Sequence, residues 1–236
     1  MKKKKVLILV VLLIIVVLAV CIFIAVKDSD KDSYRFKKEY ESLNGTETES
    51  GKKIRNVVID SDNPMKYSTA EEIVKKIENK ETFVVYFGFA ECPWCRSMIE
   101  NLINTAKKKN IEEIYYVDIL KIRDKKEIVD SEVKTTEEGD ESYMKLLEYL
   151  GDVLDNYTLT DEEDNEVDAG EKRIYAPNLI AVVNGKVEKK QDGISPRLKN
   201  PYSKITKKMK NESIKEIECI FKCLEKENVC TTKTSC

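Results

Sequence analysis

At 236 residues the chain has room for one medium domain plus appendages. Charged residues make up 36% of it but nearly cancel, 41 basic against 43 acidic, so no electrostatic field calls for nucleic acid. There is no histidine, and the eight glycines form neither a GxxxxGK nor a GxGxxG pattern, which excludes imidazole triads and phosphate-cradling loops and removes the commonest metal ligand.

Chemistry therefore rests on cysteine or carboxylate. Lys2 to Lys5 form a basic tail (1–5) ahead of an uninterrupted apolar run from Val6 to Val26. As a helix this run spans roughly 30 Å, the thickness of a bilayer core, and reads as one transmembrane anchor. A cleaved signal peptide has a shorter apolar stretch. A lipid-bearing Cys21 is disfavoured because Val20 stands where a small residue is usual. The four lysines place the N-terminus in the cytoplasm and the rest of the chain outside, where disulfides are tolerated.

Residues 27–55 are polar and read as a stalk that does not pack on the domain, with a short helix around Phe36 to Leu43. Val57, Val58 and Ile59 predict a strand. Ser68 and Glu71 offer a capping box before the amphipathic Ile73, Val74 and Ile77. The run Phe83 to Phe87 reads as a central strand buried on both faces, delivering the chain to Cys92. Met98, Ile99, Leu102, Ile103 and Ala106 then recur at helical spacing, with Pro93 near the first helical position.

Ile114 to Val117 predicts the next strand. Asn178 to Val183, Asn184-Gly185 and Lys186 to Glu188 predict a hairpin. Between them an insert of about residues 122–172 reads as mostly helical around Tyr143 to Leu154 and acidic around Asp161 to Asp168. A last helix is predicted from about Pro201 to Lys226, before a cysteine-containing tail (227–236). The domain proper, 56–226, is thus α/β: a mixed sheet flanked by helices.

Cys92-Pro93-Trp94-Cys95 sits at a strand-to-helix junction, where the positive end of the helix stabilises the first thiolate. Cys92 is then the nucleophile, and Cys95, one turn in, the resolving thiol that releases product from a mixed disulfide. A CxxC pair is also half of a zinc site, but no second CxxC or histidine completes one, so no metal and no cofactor are expected. Trp94 is the only tryptophan, either a platform for apolar substrate or packing against the loop at Pro177. Arg96 is expected to be a solvated side chain.

Phe83 to Phe87, Ala90-Glu91-Cys92-Pro93-Trp94-Cys95-Arg96 and Ala176-Pro177-Asn178 together resemble the thioredoxin superfamily. The resemblance covers about residues 56–226, and the whole chain is similar to membrane-tethered thioredoxin-like proteins of Gram-positive bacteria, some labelled bacteriocin transport accessory proteins. It implies a cis Pro177 facing the CxxC, with the Ala176 backbone binding an extended substrate. It also implies cysteine-containing exported proteins as substrates and a redox partner protein. The chain departs from the family at Tyr86, where a buried Asp is usual, and at Glu91, where Trp is usual.

Cys219 and Cys223 are predicted to face outward from the last helix, with Cys230 and Cys236 in the tail beyond. Nested pairing of Cys223 with Cys230 and of Cys219 with Cys236 would staple the helix end. The four cysteines acting as a relay to Cys92 and Cys95 is the alternative. The sequence thus predicts a membrane-anchored thiol-disulfide oxidoreductase; a non-catalytic binding module assisting export of a partner, and metal delivery, are the other function classes.

Overall fold

The computed structural model describes residues 31–130 and 132–225. Its centre is a five-stranded mixed sheet flanked by helices, the α/β class that the chain order predicts. The elements are α1 (Asp32–Glu41), β1 (Met65–Tyr67), α2 (Ala70–Glu78), β2 (Phe83–Gly88), α3 (Pro93–Lys108), β3 (Ile114–Asp118), β4 (Lys125–Val129), β5 (Glu132–Glu137), α4 (Glu141–Leu150), β6 (Asp155–Thr160), β7 (Glu166–Arg173), β8 (Asn178–Val183), β9 (Lys186–Gln191) and α5 (Lys207–Leu224). The central sheet has the order β1-β3-β2-β8-β9. β1 and β2 run parallel to β3, while β8 runs antiparallel to both β2 and β9.

β2 is buried along its whole length, and strand alternation sorts its side chains onto two faces. Val84 and Tyr86 point into a core shared with α1, α3 and α5. Phe83, Val85 and Phe87 point into the other, shared with α2 and α4. At the β8–β9 turn Asn184 and Gly185 both have positive φ, 51° and 73°. A Cβ on Gly185 would stand 2.4 Å from the carbonyl oxygen of Ile77, so this hairpin tip can press on the end of α2 only as glycine.

Five expectations are corrected. The segment 27–55 is not a detached stalk from residue 32 onward: α1 packs Phe36 and Tyr40, both 0% exposed, into the main core. Phe36 stacks on Tyr40 at 4.5 Å and meets Tyr116 edge-on at 4.9 Å. Two aromatic residues four apart on one helix face are enough to dock it in an otherwise charged stretch.

Val57 to Ile59 is extended but pairs with no strand. Its backbone groups are held by side chains: Val57 N–H donates to Asn44 Oδ1 at 2.9 Å, Val58 N–H to Glu100 Oε1 at 2.8 Å and Ile59 N–H to Glu41 Oε1 at 2.8 Å. The edge strand is Met65–Tyr67 instead.

The insert is largely β: β4–β5 and β6–β7 are separate two-stranded hairpins, with α4 between them. Asp130 and Asp164, at positive φ of 55° and 63°, supply the left-handed turn conformation that short polar side chains tolerate. The capping box at α2 is shifted by one residue, Thr69 capping with Glu72.

Finally, Cys219 and Cys223 are buried, each 2% exposed. α5 packs against both α3 and the β8–β9 side of the sheet, so a wider arc of it is covered than its aliphatic stripe indicates. Cys223 Sγ donates to Cys219 O at 3.4 Å, and Cys219 is disulfide-bonded. Cys230, Cys236 and the pairings proposed for them lie outside the described residues, as does the anchor Val6–Val26. Among the described residues no helix is long and apolar enough to cross a membrane.

Candidate active site

Cys92 is the N-cap of α3, and Pro93 is its first residue. Proline fits there because that N–H has no helical partner to lose. The Cys92 sulfur stands where a capping oxygen usually does, accepting from the Cys95 N–H at 3.2 Å. On its other side Cys92 Sγ is 3.4 Å from the Ala176 carbonyl oxygen, to which its thiol donates. The Ala176–Pro177 bond is cis. Two segments 84 residues apart in the chain therefore meet at one sulfur. Cys92 and Cys95 are both unbridged thiols.

The two thiols have opposite electrostatics. The Cys95 side chain, hydrogen-bonded to the Cys92 sulfur, is the largest influence holding the Cys92 pKa below the ordinary thiol value; burial opposes it, and the N–H groups of Cys95 and Trp94 and the Arg123 guanidinium lower it further. Burial pushes Cys95 well up, and the neighbouring Cys92 adds to the rise. One sulfur is thus suited to be thiolate and nucleophile, the other to stay protonated until it is needed.

A cleft of about 370 Å³ opens beside the pair, lined by Trp94, Tyr175, Ala176, Pro177, Ile194 and Leu198 among others. Trp94 is half-buried and also packs on the main core, so the platform and packing roles coexist. Asp155 at the start of β6 and Asp192 after β9 line the same cleft. Glu91, beside Cys92 in sequence, is exposed and acts electrostatically on Arg96 and Asp118.

Arg96 is not solvated, as its sequence position suggests, but 2% exposed. Its guanidinium donates to Arg55 O at 2.7 Å, Tyr40 O at 2.8 Å, Ala90 O at 3.1 Å and Asn44 Oδ1 at 2.8 Å. It ties α1 and the segment after it to the first turn of α3. Arg96→Met is expected to lower stability by about 3 to 5 kcal/mol, because two buried and two partly buried acceptors lose a charged donor. A lower urea midpoint at unchanged slope is the readout, and a change under about 1 kcal/mol would show that water replaces the guanidinium.

Sequence reasoning brought Cys92, Cys95, Trp94, Ala176 and Pro177 to one place, and the structure has them there. It missed three contributors. Arg123 follows β3, with its guanidinium 5.2 Å above the Phe89 ring, and no motif marks it. Tyr86 lies under Cys95 and Tyr40 beneath Tyr86; strand periodicity from Val84 was the available signal for the first, and none existed for the second. Cys219 and Cys223 belong to α5 and are not part of this site.

Among the described residues no cluster of three or more histidine, cysteine or carboxylate side chains is arranged to hold a metal ion. Fold and site together define an α/β protein with a dithiol at the N-terminus of a helix. No known family model and no curated protein matches the chain.

Proposed function

We propose that the protein is a thiol-disulfide oxidoreductase of thioredoxin-like design, acting outside the cytoplasm on cysteine-containing exported proteins from an N-terminal membrane anchor. The observation that carries this reading is the asymmetric pair: Cys92 capping α3 with a lowered pKa, and Cys95 fully buried with a raised one. The Cys92 thiolate attacks a substrate disulfide, one substrate sulfur leaves as thiolate, and a mixed disulfide forms. Cys95 then attacks the Cys92 sulfur, forming Cys92–Cys95 and releasing the second substrate thiol. Two electrons pass to the substrate, and the reverse sequence oxidises it. A protein redox partner resets the pair.

The cleft beside Trp94 and the Ala176-Pro177 segment suit an extended substrate segment, whose backbone the Ala176 peptide group would bind. β4 to β7 form the insert that distinguishes this chain from a minimal fold of this design. One observation favours a second reading, a non-catalytic module that binds a partner during export: Cys92 is only 3% exposed.

Thiol alkylation separates the two. A lowered pKa keeps thiolate present as pH falls, whereas an ordinary thiol is only a few per cent ionised at pH 7. Cys92 is expected to react with a small alkylating reagent several-fold faster than free cysteine at pH 7, and to keep its rate to lower pH. A rate at or below that of free cysteine supports the binding module.

A further inference from the structure

Behind the dithiol lies a buried chain of hydroxyls. Cys95, Tyr86 and Tyr40 are each 0% exposed and share one core cluster. Tyr86 comes from β2, and its ring stacks on Tyr116 at 5.7 Å. Its hydroxyl hangs over Gly88, where any Cβ would come within 2.5 Å of it. Glycine at 88 therefore leaves room for the hydroxyl. Burial raises the phenol's pKa, and on one side the Cys95 thiol, packed in the same cluster, raises it further through its charge and as a side-chain hydrogen-bond partner of that hydroxyl. On the other side the hydroxyl is 3.0 Å from the Tyr40 hydroxyl. Tyr40 in turn is fixed by its carbonyl, which accepts from Arg96 at 2.8 Å.

We propose that Tyr86 is a catalytic residue of the resolving step, donating its hydroxyl hydrogen to the Cys95 sulfur as that sulfur gains negative charge. Tyr40, acting through Tyr86, is a positioning residue supplied by α1. The inference rests on the oxidoreductase reading. In the step Cys92–S–S–R plus Cys95–SH gives Cys92–S–S–Cys95 plus R–SH: the Cys95–S bond to Cys92 forms, the Cys92–S bond to R breaks, and the Cys95 proton ends on the departing sulfur.

Burial holds both phenols well above their ordinary pKa, so Tyr86 does not take that proton as a base. It stabilises the thiolate through which the step passes. Tyr40 donates to Tyr86 and so orients the Tyr86 O–H toward sulfur. A hydrogen bond to a charged acceptor in a buried site is among the stronger ones in proteins.

The test is the release of thionitrobenzoate when the full-length chain meets Ellman's reagent. Attack by Cys92 releases one equivalent, and resolution by Cys95 releases a second; the Cys95→Ser chain, which lacks the second phase, identifies it among the other thiols. Tyr86→Phe keeps the ring and is expected to leave the first phase unchanged, slow the second about tenfold and move its pH profile to higher pH. Tyr40→Phe is expected to do the same by a few-fold.

A second phase with wild-type rate and pH profile in Tyr86→Phe would overturn the tyrosine role while leaving the oxidoreductase reading intact. Equal slowing of both phases would overturn it as well, since that is the mark of a structural change. Should Tyr86→Phe fail to fold, the pH profile of Tyr40→Phe decides: a shift supports the proposal and its absence overturns it. A wild-type chain with no second phase overturns the inference and the reading beneath it together.

Discussion

Under the oxidoreductase reading, Cys92→Ser is expected to abolish disulfide exchange and Cys95→Ser to accumulate a covalent complex with substrate. The asymmetry follows from burial and charge. Without Cys92 the only remaining thiol of the pair is fully buried, and its pKa is pushed up by that burial, so it neither meets substrate nor offers thiolate. Without Cys95 the first attack still occurs, but nothing one turn along the helix displaces the substrate. Activity in both variants should fall by at least about a thousandfold, as removal of a covalent nucleophile or its partner generally does. Non-reducing electrophoresis distinguishes them: trapped complexes in Cys95→Ser alone. Equal trapping by both variants contradicts the assigned roles.

A chain beginning at Ile54 is expected to lose cooperative folding. Such a chain lacks Phe36 and Tyr40, and truncating one large buried aromatic side chain costs about 3 to 5 kcal/mol. It also strips Arg96 of two of its four acceptors, Tyr40 O and Asn44 Oδ1. The Tyr67 and Tyr116 hydroxyls both lose Glu39. The strap at Val57 to Ile59 loses Asn44 and Glu41, which hold its backbone. These losses together approach or exceed the whole stability of an ordinary domain, about 5 to 15 kcal/mol. Thermal unfolding followed by circular dichroism gives the answer, and a sigmoidal transition near that of the full chain would show that α1 is dispensable.

Where the fold was legible in sequence, one short-range rule was enough. Phe83 to Phe87 has no polar alternation because both faces of β2 are covered. Pro93 sets the start of α3, and Asn184-Gly185 sets the hairpin tip. The Cys92 to Cys95 pair was legible for the same reason, since strand, motif and helix are contiguous.

What was missed depends on partners distant in the chain. Phe36 and Tyr40 are two apolar residues in a charged segment, and only Tyr116 and Tyr86, some 50 to 80 positions on, give them a core. Three of the four acceptors that hold the buried Arg96 guanidinium are backbone oxygens, which carry no signature in side-chain composition. The β4–β5 and β6–β7 hairpins expose most of both faces, so the alternation that marks a half-buried strand is weak. Cys219 and Cys223 were misplaced because periodicity shows where a helix is apolar, not how many neighbours surround it.

The docking of α1 also sets a leash. A free segment of 29 residues, 27–55, would let the domain range about 100 Å from the end of the apolar run. With α1 beginning at Asp32 and fixed to the core, only Lys27 to Lys31 remain as tether if Val6–Val26 is the anchor proposed above. Five residues reach at most about 18 Å, less than the width of the domain itself. On the function proposed above, an enzyme so held would not sweep a volume. It would work on a surface, on chains passing close to the point where it is rooted, and its encounter rate with them would be governed by lateral movement in the membrane plane rather than by diffusion through the space beyond.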